Sequence, residues 1–290
     1  MTASISVAAG GTVNVTVTRT AGMNAVVSGI VFGGVPPAPP TPTGLAASPL
    51  NSSQVSLSWN AVGGATGYKV QRSPDGTTGW TQVGTTSTPG FVDSWLIPST
   101  TYFYRVTASN GPSSSAPSNV ASATTQAGLP VFQSPQGTWV GVYGANGSAL
   151  LGWNGGDLVS IPNATLAVDQ GQRFIWQNPS SDVRGLQSPD ASMREATCAY
   201  DGNQVKIHIT FSTAYSGTIH VYAMDFDSLG RRETITINDG SGPQTANLNS
   251  DFSQGAWVTT SISVAAGGTV TVTVTRTAGI NAVVSGVFLG

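Results

Sequence analysis

Charge is the scarcest commodity in this sequence. Only 8% of its 290 residues are Asp, Glu, Lys or Arg, where an ordinary soluble protein has about 25%. Lysine occurs only at Lys69 and Lys206, glutamate only at Glu195 and Glu233, and the formal net charge is −2. Nucleic acid is therefore excluded as a partner, because phosphate binding needs a dense positive surface. A polybasic membrane anchor is excluded on the same ground. Runs of 18 apolar residues are missing, so no segment is read as inserting into a membrane. Cysteine occurs once, at Cys198, which rules out an intramolecular disulfide. Stability must come from apolar burial, for which a chain of this length has ample core. Cys198 then reads as a small buried hydrophobe. The N-terminus has neither a basic start nor a long apolar stretch and does not read as a signal peptide. What remains is Gly, Pro, Ser, Thr, Asn, Gln and Val, a surface chemistry that points to an extracellular or cell-surface protein.

The strongest positive signal is a repeat. Residues 2–33 and 259–290 align without a gap at an offset of 257, with 26 of 32 positions identical. Repeats decide architecture before anything else. Each copy holds a period-two run, Val13, Val15, Val17 in one and Val270, Val272, Val274 in the other. That period belongs to a strand with one buried face. A second, more apolar strand follows in each copy. A piece of two or three strands is marginal alone. The copy at 259–290 can close the long β-rich stretch before it, whereas 1–34 reads as the orphan end of a preceding repeat. It is expected either to mark a tandem array or to complete a sheet in another molecule, where an unpaired edge recruits a strand. The residues expected to mediate that assembly are Val13, Val15, Val17, Val26, Val27, Ile30 and Phe32.

Residues 35–43, with five prolines, form a stiff extended linker. Period-two strands and turns then follow at sandwich spacing: Val55-Ser-Leu-Ser-Trp59, Tyr68-Lys-Val-Gln-Arg72 and Tyr102-Phe-Tyr-Arg-Val-Thr-Ala108. With Pro42, Leu45, Trp80, Phe91-Val-Asp93, Leu96 and Ser115-Ala-Pro-Ser118 in order, about residues 41–126 resemble a fibronectin type III domain, with the domain itself taken as 44–126. The resemblance implies a core of Trp59, Tyr68, Leu96, Tyr102, Tyr104 and Val106. It also implies a tyrosine corner at Tyr102.

After a short link at 127–130, residues 131–290 read as a second all-β domain. Strands are expected near 139–143, 149–153, 165–168, 206–211, 218–222, 234–237 and 258–264, with two more within 270–289. The expected fold is a jelly-roll-like β-sandwich. Gly137-Thr-Trp-Val-Gly-Val-Tyr-Gly144, Leu150-Leu-Gly-Trp153 and Ala223-Met-Asp-Phe-Asp-Ser-Leu-Gly-Arg-Arg232 look like the galactose-binding-like sandwiches of secreted glycoside-degrading enzymes. That likeness implies carbohydrate binding.

Chemistry is sparse. Catalytic residues are not expected, since glycoside hydrolysis needs two carboxylates across a cleft and no such pairing is visible. No cofactor is called for. Asp225 and Asp227, two apart, are weak candidates for a metal site, set against a carboxylate–guanidinium lock with Arg231 and Arg232. His208 and His220 lie on alternating strands that would let them meet. Trp176, Tyr143 and Trp153 are the weak carbohydrate candidates, as flat rings able to stack on a pyranose. The expected function is a non-catalytic extracellular repeat unit of a fibre, filament, stalk or adhesin, with copies of itself or adjacent repeats as partners. The alternative is a carbohydrate-binding accessory module of a secreted polysaccharide-degrading enzyme, with polysaccharide as partner.

Overall fold

The computed structural model describes residues 13–18, 20–22 and 36–290. The chain divides into two compact units, Met1–Pro37 and Ala38–Gly290. In the first, residues 13–18 carry no strand, and Val15 and Val17 are 54% and 46% exposed. Val26, Val27, Ile30 and Phe32 lie outside the described residues.

The second unit is all-β. Its first part contains β1 (Ala46–Pro49), β2 (Gln54–Ser58), β3 (Gly67–Ser73), β4 (Thr81–Thr86), β5 (Gly90–Ser94), β6 (Thr101–Asn110), β7 (Ser113–Ser114) and β8 (Ala121–Thr124). One sheet runs β1-β2-β5, the other β4-β3-β6-β7, with β8 also on β6. Period-two alternation turns Val55, Leu57, Tyr68, Val70, Tyr104, Val106 and Ala108 into the shared core, because successive side chains leave opposite faces. Trp59 packs edge-on against Tyr68 at 5.3 Å between ring centroids. Tyr102 is only partly buried, and its hydroxyl accepts the Ile97 amide at 3.0 Å, which pins the loop before β6.

Fifteen more strands follow: β9 (Val131–Phe132), β10 (Gly147–Leu151), β11 (Asp157–Ser160), β12 (Ala164–Gln170), β13 (Gln172–Gln177), β14 (Leu186–Gln187), β15 (Arg194–Asp201), β16 (Gln204–Phe211), β17 (Tyr215–Ala223), β18 (Arg232–Asn238), β19 (Pro243–Leu248), β20 (Ala256–Val264), β21 (Thr269–Ala278), β22 (Ala282–Val284) and β23 (Gly286–Leu289). They build a six-stranded sheet, β11-β10-β23-β17-β20-β9, and a five-stranded sheet, β12-β16-β21-β18-β19. A smaller sheet holds β13, β15 and β14, with β22 on β15. The large sheets share one aliphatic core. Ile219, Val221, Val258 and Val287 come from the first, and Ile207, Ile209, Ile235, Val270, Val272 and Val274 from the second.

The opposite face of the six-stranded sheet is buried too. Tyr222, Trp257, Phe288 and Leu150 point there and meet Trp139, Trp153, Leu186, Ala196 and Met224 in a separate cluster. The polar ring atoms of Trp257, Trp139 and Tyr222 find partners, as buried Trp and Tyr usually do. Trp257 donates to the Gln136 carbonyl at 2.8 Å, Trp139 to the Gln187 carbonyl at 2.8 Å, and the Tyr222 hydroxyl to the Arg184 carbonyl at 2.9 Å. These bonds fasten the loops over the sheet. Residues 139–143, expected as a strand, are turn. Gly141 and Gly144 sit at φ +79° and +78°, so the chain curls and lays Trp139 on the sheet instead of extending it.

The two parts of this unit touch. Gln54 Nε2 donates to Ser250 Oγ at 2.9 Å, and the Leu129 amide to the Thr245 carbonyl at 2.8 Å. Trp95 packs against the aliphatic core of the larger part. Gly128 is needed at this junction, because a Cβ there would stand 2.7 Å from the Ser52 Cβ.

Candidate functional site

The loop from β17 to β18 holds the densest charge. Asp225 and Arg231 are 0% and 2% exposed. Arg231 Nη1 donates to both Asp225 Oδ1 and Asp227 Oδ1, and its Nε donates to Asn281 Oδ1 at 2.6 Å. Asp225 also accepts the Leu229 amide at 3.1 Å and the Arg231 amide at 3.0 Å. Burial pulls Asp227 upward, yet hydrogen bonds from Arg231 and Trp176 hold it below the usual carboxylate range. Burial likewise lowers Arg231, and its bonds to Asp227 and Asp225 more than restore it. The weak metal candidates Asp225 and Asp227 therefore serve a guanidinium that already occupies the space between them. Among the described residues no group of three or more His, Cys, Asp or Glu is placed to hold a metal ion.

Beside this lock lies an aromatic ridge on β13. Trp176 Nε1 donates to Asp227 Oδ2 at 3.2 Å, and its ring faces the Arg231 guanidinium at 5.7 Å. Phe226 lies between Trp176, at 5.8 Å, and the Arg184 guanidinium, at 4.5 Å. Phe174 stands edge-on to both Trp176 and Tyr200, at 5.8 and 6.0 Å, and is 47% exposed. Polar groups flank the ridge. Tyr200 donates to Gln172 Oε1 at 2.8 Å, Asn178 Nδ2 to Asn154 Oδ1 at 2.9 Å, and Arg173 forms a forked pair with Asp157. The half-buried Trp176 is thus gathered with Phe174, Tyr200 and Phe226. Phe174 was not legible in the sequence, because β13 lacks a clean alternation, and Phe226 was quoted only within the segment 223–232, with no role of its own.

The other carbohydrate candidates sit elsewhere. Tyr143 lines a cleft of about 440 Å³ with Asn146, Ser148, Ser160, Pro162 and Pro189. Its ring packs on His220 at 4.2 Å and on Trp257 at 4.5 Å. Trp153 is 7% exposed inside the aromatic cluster, so it offers no ring face to a sugar. The expected meeting of the histidines does not occur, since β16 and β17 lie in different sheets. His208 bonds Asp169 at 2.8 Å, and His220 bonds Thr259 at 2.9 Å. Both glutamates are 0% exposed. Glu195 accepts the Asn154 amide and Glu233 the Val283 amide, each at 2.9 Å. Cys198 is buried in the aliphatic core, and burial pushes its thiol well up.

Comparison with known proteins bears on the first part of the second unit. Residues 39–124 match the family described as fibronectin type III domain. This stretch is a fibronectin type III domain. A poly(3-hydroxybutyrate) depolymerase of Ralstonia pickettii is 44% identical over 86 residues, which are 29% of this chain and 16% of the relative. Exoglucanase B of Cellulomonas fimi is 40% identical over 94 residues, 31% of this chain and 8% of the relative. The chain thus spans a small fraction of the relatives it matches. A crystal structure of a Fn3-like protein from Clostridium thermocellum shares 29% identity at a TM-score of 0.29, covering 31% of this chain and 95% of that one.

Within the fibronectin type III domain the polar contacts are structural. Asp93, 5% exposed, accepts Arg72 at 2.8 Å and the Tyr104 hydroxyl at 3.0 Å. Burial and the adjacent Asp93 charge push the Tyr104 hydroxyl far up. On the outer face the Arg105 guanidinium lies 4.3 Å from the Trp80 ring. Among the described residues no helix is long and apolar enough to cross a membrane.

Proposed function

We propose that the chain is a non-catalytic, extracellular accessory module of a polymer-degrading enzyme, holding polysaccharide on the ridge of Phe174, Trp176 and Tyr200. The observation that carries this is the exposed Phe174 face set beside polar side chains on one edge strand. Flat rings cover the apolar face of a sugar, and a few fixed polar groups orient its hydroxyls. The low charge suits a neutral polymer. The relatives support the setting, since one is an exoglucanase and another a poly(3-hydroxybutyrate) depolymerase. The test is retention of the full chain on insoluble cellulose, starch granules and poly(3-hydroxybutyrate) granules. Phe174→Ala is expected to cut retention on one polysaccharide about tenfold, the effect of losing roughly 1.4 kcal/mol. Trp80→Ala, in the fibronectin type III domain, serves as the control. Retention on polyester alone, or equal retention of Phe174→Ala and wild type, would refute the sugar reading.

A second reading is favoured by the duplicated segment: a structural repeat unit of a fibre, filament, stalk or adhesin, assembling end to end through β-strand contacts. Sedimentation of the full chain beside one lacking residues 1–34 tests it. Long oligomers from the full chain alone support it, and two monomers dismiss it.

A further inference from the structure

The segment 259–290 holds interior positions in the larger sandwich. β21 lies between β16 and β18, and β23 lies between β10 and β17. β22 joins β15 in the third sheet. The chain passes from one sheet to the other at Ser285, whose amide donates to the Tyr222 carbonyl at 2.8 Å and whose carbonyl accepts the Leu151 amide at 2.9 Å. Val270, Val272, Val274, Val283, Val284, Val287 and Phe288 are all 0% exposed. Without this segment both large sheets lose an inner strand, and the core between them loses part of each wall.

The six differences between the two copies follow this burial. Asn14 replaces Thr271 and Met23 replaces Ile280, both on exposed positions, and Ala3 replaces the half-buried Thr260. The other three exchange one apolar residue for another: Ile30, Val31 and Phe32 for Val287, Phe288 and Leu289. The glycines that the fold requires are kept. A Cβ at Gly286 would stand 2.8 Å from the Phe288 ring, and its counterpart is Gly29. Gly279 sits at φ +79° with its Cβ direction 2.7 Å from the Arg231 backbone, and its counterpart Gly22 sits at φ +85°. Yet Val15 and Val17 are about half exposed, where Val272 and Val274 are sealed. An apolar period-two run that matches the sequence of a known slot-filling strand, and is uncovered, calls for that slot.

We infer that residues 2–33 are a closing segment for a second copy of this sandwich, entering between β16 and β18 and between β10 and β17 of that copy in the register of 259–290. The partner is another sandwich of the same construction, whose own closing segment is displaced or lacking. This deepens the repeat-unit reading, and its test is separable from that reading.

In the full chain, Val272→Asp with Val274→Asp places two carboxylates in the chain's own core and spoils its own closing segment. A second variant adds Val15→Asp and Val17→Asp. Sedimentation gives the mass, and near-ultraviolet dichroism reports the packed Trp257 and Trp139. The first variant is expected to keep the tryptophan signal and to sediment as oligomers. The second is expected to lose both. Equal loss of the signal in the two variants overturns the inference, and so does retention of the signal by either variant as a monomer. A monomeric wild type would dismiss the filament alone and leave this result to stand.

Discussion

Glu233 is a carboxylate sealed from water. It is 0% exposed, and its Oε1 has no hydrogen-bond partner. Burial raises its pKa to about 8, with the Asp225 charge adding and the Val283 amide and Arg231 opposing. At this residue the folded chain binds more protons than the unfolded chain between pH 4.5 and about 8. The contribution of Glu233 to stability falls as pH rises through that window. Glu233→Gln, neutral at every pH, is expected to flatten the slope. It should stabilise the chain at pH 8 by on the order of 2 kcal/mol and change little at pH 5. Urea unfolding at the two pH values checks this, and a parallel slope in the variant would be the contrary result. Arg231 is the reverse case, a buried cation with two carboxylates and an amide around it. Removing it would leave Asp225 sealed without its partner.

At the level of strands, the sequence was most legible where one face alone is buried, although β19 was missed. Period two marked β2, β3, β6, β16 and β21. It failed where burial comes from elsewhere in the fold. Trp139-Val-Gly-Val-Tyr143 alternates like a strand, yet it is a turn that caps a sheet. β15, with Ala196, Thr197, Cys198 and Ala199, is enclosed on both faces, so small residues follow one another without alternation. β13 went unseen for the same lack of pattern, and the aromatic ridge with it. Trp153 looked like a sugar platform because nothing local shows that it is buried in one cluster with Leu186, Trp257 and Phe288. Trp153→Ala is expected to cost about 3–5 kcal/mol in thermal or urea unfolding, as for other buried tryptophans. Below that transition, retention on polysaccharide should equal that of wild type. A variant that lost retention while keeping its stability would return Trp153 to the binding surface.

The whole molecule rests on apolar burial and backbone pairing rather than on charge. Its most enclosed ion pair, Arg231 with Asp225, is shielded from dissolved salt, and an exposed pair contributes little. Raising sodium chloride from about 0.05 M to about 0.3 M is accordingly expected to move Tm by no more than about 2 °C. A larger shift, read by differential scanning calorimetry, would mean that surface electrostatics carry stability here. The Gln54–Ser250 contact and Trp95 also join the fibronectin type III domain to the larger sandwich.

The crossing at Ser285 also sets a timetable. A ribosome delivers the chain from the N-terminus, so β10, β16, β17 and β18 all emerge before either inner strand they must flank. Until the residues around Ser285 clear the exit tunnel, two half-built sheets wait with open edges. Folding of this part is thus held back until β21 to β23 have been made, and a chain stalled before them presents those edges to any neighbour being synthesised on the same message.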